Sequence, residues 1–521
     1  MEILRSWFLV FFITLLVWSQ LLSAFVLEKC SPESCLSSEE TYSNASLPHL
    51  LRTNNRIKTI KPVSPLRARI RKKIRNLTNR VLSLEQPVWL ISQSADRWHH
   101  SCEGPCTCHP AKFILSCWNH NLYAIPLVQV VPYDVKILDL GLNGIETFHK
   151  DTFKRLDELT ELDLFHNNLK YLPPTIFEGL RSLEKLKLSK NKLVDVPQRL
   201  LFFLNRLKSI DLSSNSLSAL PEVFFQECSN LMVIYLYGNK IQSLPGKLFR
   251  GSNHLEELDM SDNQLTKLDP SLFKGLTNLK FLKLDGNKII ELDSELFSDN
   301  KYLSIISMKQ NNLLKIGSCF QNLLQLGYID LSFNKINQIE GNEFSNTISL
   351  QEIHLNRNYI EEFFMDIFAN VTSLRKLVLS TNGLLNFTLN SDVNLDNLTF
   401  LDIRFNMLKE LNERLLEALK NLKTLLIHGN MLRFVPDNFL DYLSNLNTIT
   451  LANNMWYCNC DIFYLSKWLR NNKMKVVDLI DVRCLGPAHM IQRSIKELSY
   501  GDLCDGQWAS FQNLADRVSD N

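Results

Sequence analysis

The chain has 521 residues, 45% of them hydrophobic and 21% charged, with a formal net charge of +2. Such a composition excludes a largely unfolded chain, and such a length excludes one ordinary core, leaving several domains or one repeat array. The near-zero charge hides an asymmetry: residues 52–80 hold eleven Lys/Arg and no acid, which leaves −9 on the remainder.

Residues 1–24 read as a secretory signal, with Arg5, an apolar run from Trp7 to Trp18 and Leu22-Ser23-Ala24 before a cleavage point. The alternative, a signal anchor, needs roughly 20 apolar residues, and the run is shorter. No later stretch is long and apolar enough to span a membrane, and RVSDN carries no lipid-anchor signal. The expectation is a secreted, soluble protein. Its twelve cysteines and its Asn-x-Ser/Thr sequons at Asn44, Asn76, Asn370, Asn386 and Asn397 fit export, where disulfides persist and glycans are added.

Residues 25–98 form a basic, flexible arm. Within it Leu66, Ile70, Ile74, Leu77, Val81 and Leu84 draw one helical stripe, while Arg67, Arg69, Arg71, Lys72, Lys73 and Arg75 mostly face elsewhere. A cationic face outside the cell points to heparan sulfate or a similar sulfated glycosaminoglycan, not to nucleic acid. The competing reading is a solvated or removed pro-segment. Cys30 and Cys35 close a small loop there or mark such a segment.

The array occupies residues 131–455. The stretch LEELDMSDNQL, Leu255 to Leu265, alternates like a strand and then places Asn263 in phase with its buried side. Sliding the window gives Asn143, Asn167, Asn191, Asn215, Asn239, Asn263, Asn287, Asn311, Asn334, Asn358, Asn382, Asn406, Asn430 and Asn454. Each step is 24 residues except Asn311 to Asn334, which is 23. Fourteen repeats thus each supply one short parallel strand, and the amide, with two donors and one acceptor, pairs buried turn groups with the next repeat. Phe153, Phe177, Phe225, Phe249, Phe273, Phe297, Phe320, Phe344 and Phe368 recur in a second phase, with Leu201 in register, as a spine of the return segments. The bulkier return side bends the stack, so the sheet is concave. The spine fails at Asp392. Cys228 and Cys319 lie nearly four strands apart, about 18 Å, too far for a bridge, and read as two buried thiols.

An array open at both ends needs covers. Residues 99–130 hold Cys102, Cys106, Cys108 and Cys117, and residues 456–505 hold Cys458, Cys460, Cys484 and Cys504 with Trp456 and Trp468; 506–521 form a tail. His99, His100 and His109 raise zinc as an alternative for the first cluster, but an oxidising compartment favours disulfides.

No phosphate loop, nucleophile elbow or metalloprotease motif is present, so no catalytic residue, metal or cofactor is expected. His166, His354 and His428 fall on exposed strand positions without a fixed acid or nucleophile. The exposed strand face instead offers Asp211, Tyr235, Tyr237, Asp259, Phe281 and Tyr328 as candidate ligand-binding residues, centred on the tyrosine pair.

The repeat L-x-x-L-x-L-x-x-N-x-L resembles leucine-rich repeats, implying an α/β-type solenoid, a horseshoe with a parallel concave sheet and disulfide caps. The two cysteine flanks resemble those of secreted leucine-rich-repeat proteins, which implies Cys102–Cys108, Cys106–Cys117, Cys458–Cys484 and Cys460–Cys504 pairs. The layout is similar to small leucine-rich proteoglycans of the chondroadherin and nephrocan type, nearer nephrocan in size. That resemblance implies an extracellular-matrix protein that binds collagen or sequesters growth factors of the TGF-β family. A structural matrix adaptor and a plasma carrier subunit are the alternatives. The chain lacks a Ser-Gly dipeptide, which speaks against an attached glycosaminoglycan.

Overall fold

The computed structural model describes residues 81–92, 98, 104–390, 393 and 395–504, and upstream of these positions 70, 73, 74, 77 and 78. The expected signal 1–24, Arg67, Arg69, Arg71, Lys72, Arg75, Asn44, Asn76, Cys102, Asp392 and the tail 506–521 lie outside the described residues.

Fourteen three-residue strands, one per ladder asparagine, run from Ile137–Asp139 to Thr448–Thr450. Two cap strands, Thr107–His109 and Ile114–Ser116, extend the sheet to sixteen. Every repeat strand pairs in parallel with the next, and the middle residue, such as Leu258 against Leu282, turns into the core. The chain is therefore a solenoid built as the periodicity requires.

The missing residue between Asn311 and Asn334 does not disturb the sheet, because Ile305–Ser307 still pairs in register with Tyr328–Asp330. It is taken up on the return segment, where Gly317 is left-handed (φ +77°) and leads into a 3₁₀ turn, Ser318–Phe320. Tighter winding there closes the coil with one residue fewer.

Thirteen ladder asparagines are buried, and Asn382 is half-buried. Asn263 shows the geometry. Its Nδ2 donates to the carbonyls of Leu236 (3.0 Å), Met260 (3.1 Å) and Ser261 (3.1 Å), and its Oδ1 accepts from the Ile241 N–H (3.0 Å). One side chain thus satisfies buried groups of its own repeat and of the preceding one, which desolvation would otherwise penalise. The residue before the asparagine is left-handed in all fourteen repeats, with φ between +52° and +70°, and only Gly238, Gly286 and Gly429 are glycines there. That turn aims two carbonyls at the amide, at a cost of about 1 kcal/mol for each non-glycine.

Behind the sheet the phenylalanines stack. Phe273 to Phe297, Phe297 to Phe320, Phe320 to Phe344 and Phe344 to Phe368 lie 5.7–6.2 Å apart with planes 19–25° from parallel. All nine, and Leu201, are buried. Beyond Phe368 the return side changes: Asn386–Thr388 forms a two-stranded pair with Glu362–Phe364 of the preceding coil, and a helix, Glu413–Ala418, follows.

The first cap is stitched to the array by the same device. Asn143 donates to the Cys117 carbonyl (2.8 Å) and accepts from His120 and Leu122 (3.0 Å each). Cys106 is bonded to Cys117, and Cys108 is also in a disulfide. Those bonds remove the thiolates a zinc site would use. The packed body also begins earlier than residue 99. Leu90–Ser92 pairs with Val130–Pro132, Trp89 and Trp98 are buried, and the Trp98 indole donates to Asp134 (2.7 Å). The arm is thus not uniformly free: its last residues belong to the cap. At the other end Cys458 bonds Cys484 and Cys460 bonds Cys504, around the fully buried Trp456. There the Asp478 carboxylate accepts from Leu451 (2.9 Å) and Ala452 (2.7 Å), closing the open edge of the last strand.

Candidate functional site

Each strand presents its first and third residues on the sheet face, and the residue two further on forms a third column. Asp211, Tyr235 and Asp259 are register partners on adjacent strands. The Tyr235 and Tyr237 rings meet edge to face at 6.3 Å, and the Tyr235 hydroxyl donates to Glu257 (3.1 Å). Burial, then the Glu257, Asp211 and Asp259 charges, push this hydroxyl up to about 12. Tyr235 is therefore a fixed donor at physiological pH.

The aspartates do two jobs. Asp211 Oδ1 accepts from the Ser213 N–H (2.9 Å) and hydroxyl (2.6 Å), and Asp259 Oδ1 accepts from the Ser261 N–H (2.9 Å). The same i to i+2 contact recurs at Asp139, Asp163, Asp330 and Asp402. One carboxylate oxygen holds the strand end, which leaves the other to the face. Lys283 stands 4.0 Å from Asp259 Oδ2, whereas in the earlier repeats Lys187 is closer to Glu161 (3.0 Å) and Asp163 (2.9 Å).

The six residues expected on sequence grounds do not form one cluster. Asp211, Tyr235, Tyr237 and Asp259 do. Phe281, 37% exposed, flanks them as the register partner of Glu257. Tyr328 lies four strands from the Tyr235 strand, about 19 Å away at the usual strand spacing. It makes a second centre, its ring 5.4 Å from His354, with its hydroxyl pushed up to about 12 by burial, Asp330 and Glu352. Between the centres sits Asp285, half-buried, whose carboxyl is raised above the usual range by burial, opposed by hydrogen bonds from Ser307 and Lys309. Sequence reading passed over Glu257 and Asp285; their phase, two residues before and two residues after a column position, was the available signal.

Of His166, His354 and His428, which the sequence places on exposed strand positions, His354 lies within a strand, Glu352–His354; His428 follows one and contacts the Thr450 hydroxyl (2.7 Å), and His166 is a left-handed turn residue. Among the described residues no cluster of His, Cys, Asp and Glu is arranged to hold a metal ion. Cys228 and Cys319 are buried and unbridged, and burial raises both thiols. Among the described residues no helix is long and apolar enough to cross a membrane.

Of the sequons, Asn370 and Asn386 are exposed. Asn397 is exposed too; the Asn386 amide donates to Glu362 Oε1 (3.0 Å) and the Asn397 amide to the Thr372 carbonyl (2.8 Å). Asn230, Asn278, Asn421 and Asn445 make the equivalent contact in their repeats, so this is a second, outer ladder. Of the expected glycosaminoglycan-binding residues, Lys73 is described: it is helical and exposed. Ile70, Ile74, Leu77, Val81 and Leu84 share its helical state and are 47–60% exposed, so the stripe is not part of the buried core.

Comparison with known proteins agrees with this geometry. The Leucine rich repeat family model matches residues within 134–313 and again at 325–384. Reticulon-4 receptor-like 1 of Mus musculus is 33% identical over 91 residues, 18% of this chain and 20% of its own length. Osteomodulin of Mus musculus is 33% identical over 110 residues, 20% of this chain and 25% of its own. The chain therefore spans a quarter or less of these curated relatives. Among solved structures, the TLR13-ssRNA13 complex superposes with a TM-score of 0.61 at 26% identity, over 71% of this chain and 54% of that one.

Proposed function

We propose that this chain, whose repeats match the Leucine rich repeat family model over residues 134–313 and 325–384 and whose described ends carry disulfides, is a secreted binding protein that holds a protein ligand on its sheet face. The observation that carries this reading is the edge-to-face Tyr235–Tyr237 pair set among Asp211, Glu257 and Asp259. Aromatic anchors with an amphipathic tip dominate interfaces, and an acidic surround selects a cationic patch on the partner. A growth factor of the TGF-β family is the ligand class we favour, held in reserve and away from its receptor. The two caps and the osteomodulin match support a place beside the small leucine-rich proteoglycans of the extracellular matrix. The cationic stretch 52–80 supports retention on heparan sulfate.

The test uses the full secreted chain and the Tyr235→Ala/Tyr237→Ala variant against immobilised TGF-β-family ligands and fibrillar collagen. Loss of two anchors lowers affinity for the bound growth factor at least about thirtyfold, about 2 kcal/mol. Equal binding by both proteins rejects the site, and binding to collagen alone rejects the ligand class in favour of a structural adaptor. For the arm, heparin elution of the full chain well above physiological salt is the expected result, and elution near it removes the heparan sulfate assignment.

A further inference from the structure

One exposed register position changes character along the solenoid. The residue after the ladder asparagine is Asn168, Lys192, Ser216, Lys240, Gln264, Lys288, Asn312 and Lys335 in eight consecutive repeats. In the last five it is Tyr359, Gly383, Met407, Met431 and Met455. Tyr359 is 63% exposed, Met407 and Met455 are 44% exposed each, and Met431 is half-buried. Nothing in the fold demands the change, since the ladder bonds of Asn406, Asn430 and Asn454 match those of earlier repeats. Tyr457 and Leu485 of the terminal cap, 47% and 49% exposed, continue the surface into a shallow groove. Its remaining walls are Lys409, Arg433 and Gly486, with no acid.

We propose that this flank is a second docking surface, separate from the sheet face, and that its occupant is an acidic amphipathic helix of a partner protein. The spacing selects a helix. Neighbouring repeats place these side chains about 4.8 Å apart, close to the ~5.4 Å pitch of a helix and far from the ~6.7 Å between same-face residues of a strand. Methionine is the side chain best able to mould to such a stripe, and a contiguous apolar strip left in water marks an interaction site. Lys409 and Arg433, both exposed, select carboxylates beside the partner's apolar stripe.

The test selects a displayed library of amphipathic helical peptides, with stripe and flanks randomised, on the full chain. Expected are peptides with an apolar stripe flanked by Asp or Glu, which lose at least about tenfold in affinity on the Met431→Glu/Met455→Glu variant. They also shield Met407, Met431 and Met455 from peroxide, with fully exposed Met474 and buried Met260 as internal standards. Failure to enrich, enrichment of basic stripes, or undiminished binding to the variant overturns the proposal. So does protection of Met407 and Met455 in the free chain, since another part of the chain would then cover the flank. Binding to Tyr235→Ala/Tyr237→Ala is expected to be unchanged, so the two surfaces stand or fall separately.

Discussion

The repeats from Asn143 to Asn358 and those from Asn382 onward share one sheet but not one return side. In the first group phenylalanine, or Leu201 once, fills the same return position in each coil and the flank after the asparagine is polar from Asn168 to Lys335. In the second no phenylalanine fills that return position: Asn386–Thr388 pairs back onto Glu362–Phe364 of the last coil of the first group, the helix Glu413–Ala418 follows, and the flank becomes apolar. The strands nevertheless keep register from Lys376–Val378 through Thr448–Thr450. The asparagine ladder therefore sets the coil, while the return segment can be rebuilt so long as it still closes the core.

That comparison can be broken most directly at the spine. Phe273→Ala removes a fully buried ring stacked on Phe297 and is expected to cost about 4 kcal/mol in chemical denaturation, with Leu440→Ala in the second group costing less. Equal costs would mean the two return sides are energetically alike. Next comes the ladder. Asn263→Ala strands the buried Ile241 N–H and removes one of two donors from each of the Leu236, Met260 and Ser261 carbonyls, and should cost about 2 kcal/mol, whereas Asn382→Ala, half-buried and with two donated bonds, should cost less. Lys190→Gly relieves a left-handed non-glycine and should gain up to about 1 kcal/mol. The smallest effect is on the face. Asp285 has its carboxyl raised in the fold, so the folded state is favoured below the ordinary carboxylate range and loses that advantage as pH rises through the raised value. Asp285→Asn should therefore raise Tm slightly at neutral pH, and the gain should vanish in a titration towards pH about 4.

Much of this was readable beforehand. The fourteen asparagines and the phenylalanine phase are spacings in the chain, and their consequences, a buried amide and a stacked ring, follow from hydrogen-bond and packing chemistry alone. The Cys106–Cys117, Cys458–Cys484 and Cys460–Cys504 bonds came through resemblance, because spacing leaves several pairings open. The left-handed residue before each asparagine had no signature, since Leu142, Lys190, Phe333 and Thr381 all occupy it. The packing of Trp89, Leu90–Ser92 and Trp98 on the first coil also escaped, because its partners Val130–Pro132 and Asp134 lie some forty residues on and share no period with it.

The sequence by itself determined the coil: its length, its sheet, its ladder and its spine, because each is a local pattern repeated until neighbours must match. Tertiary structure alone decided how the face is used. It spent one oxygen of Asp211 and Asp259 on the backbone, joined Tyr235 to Glu257, and separated Tyr328 from both, since contacts across strands depend on where side chains meet in space.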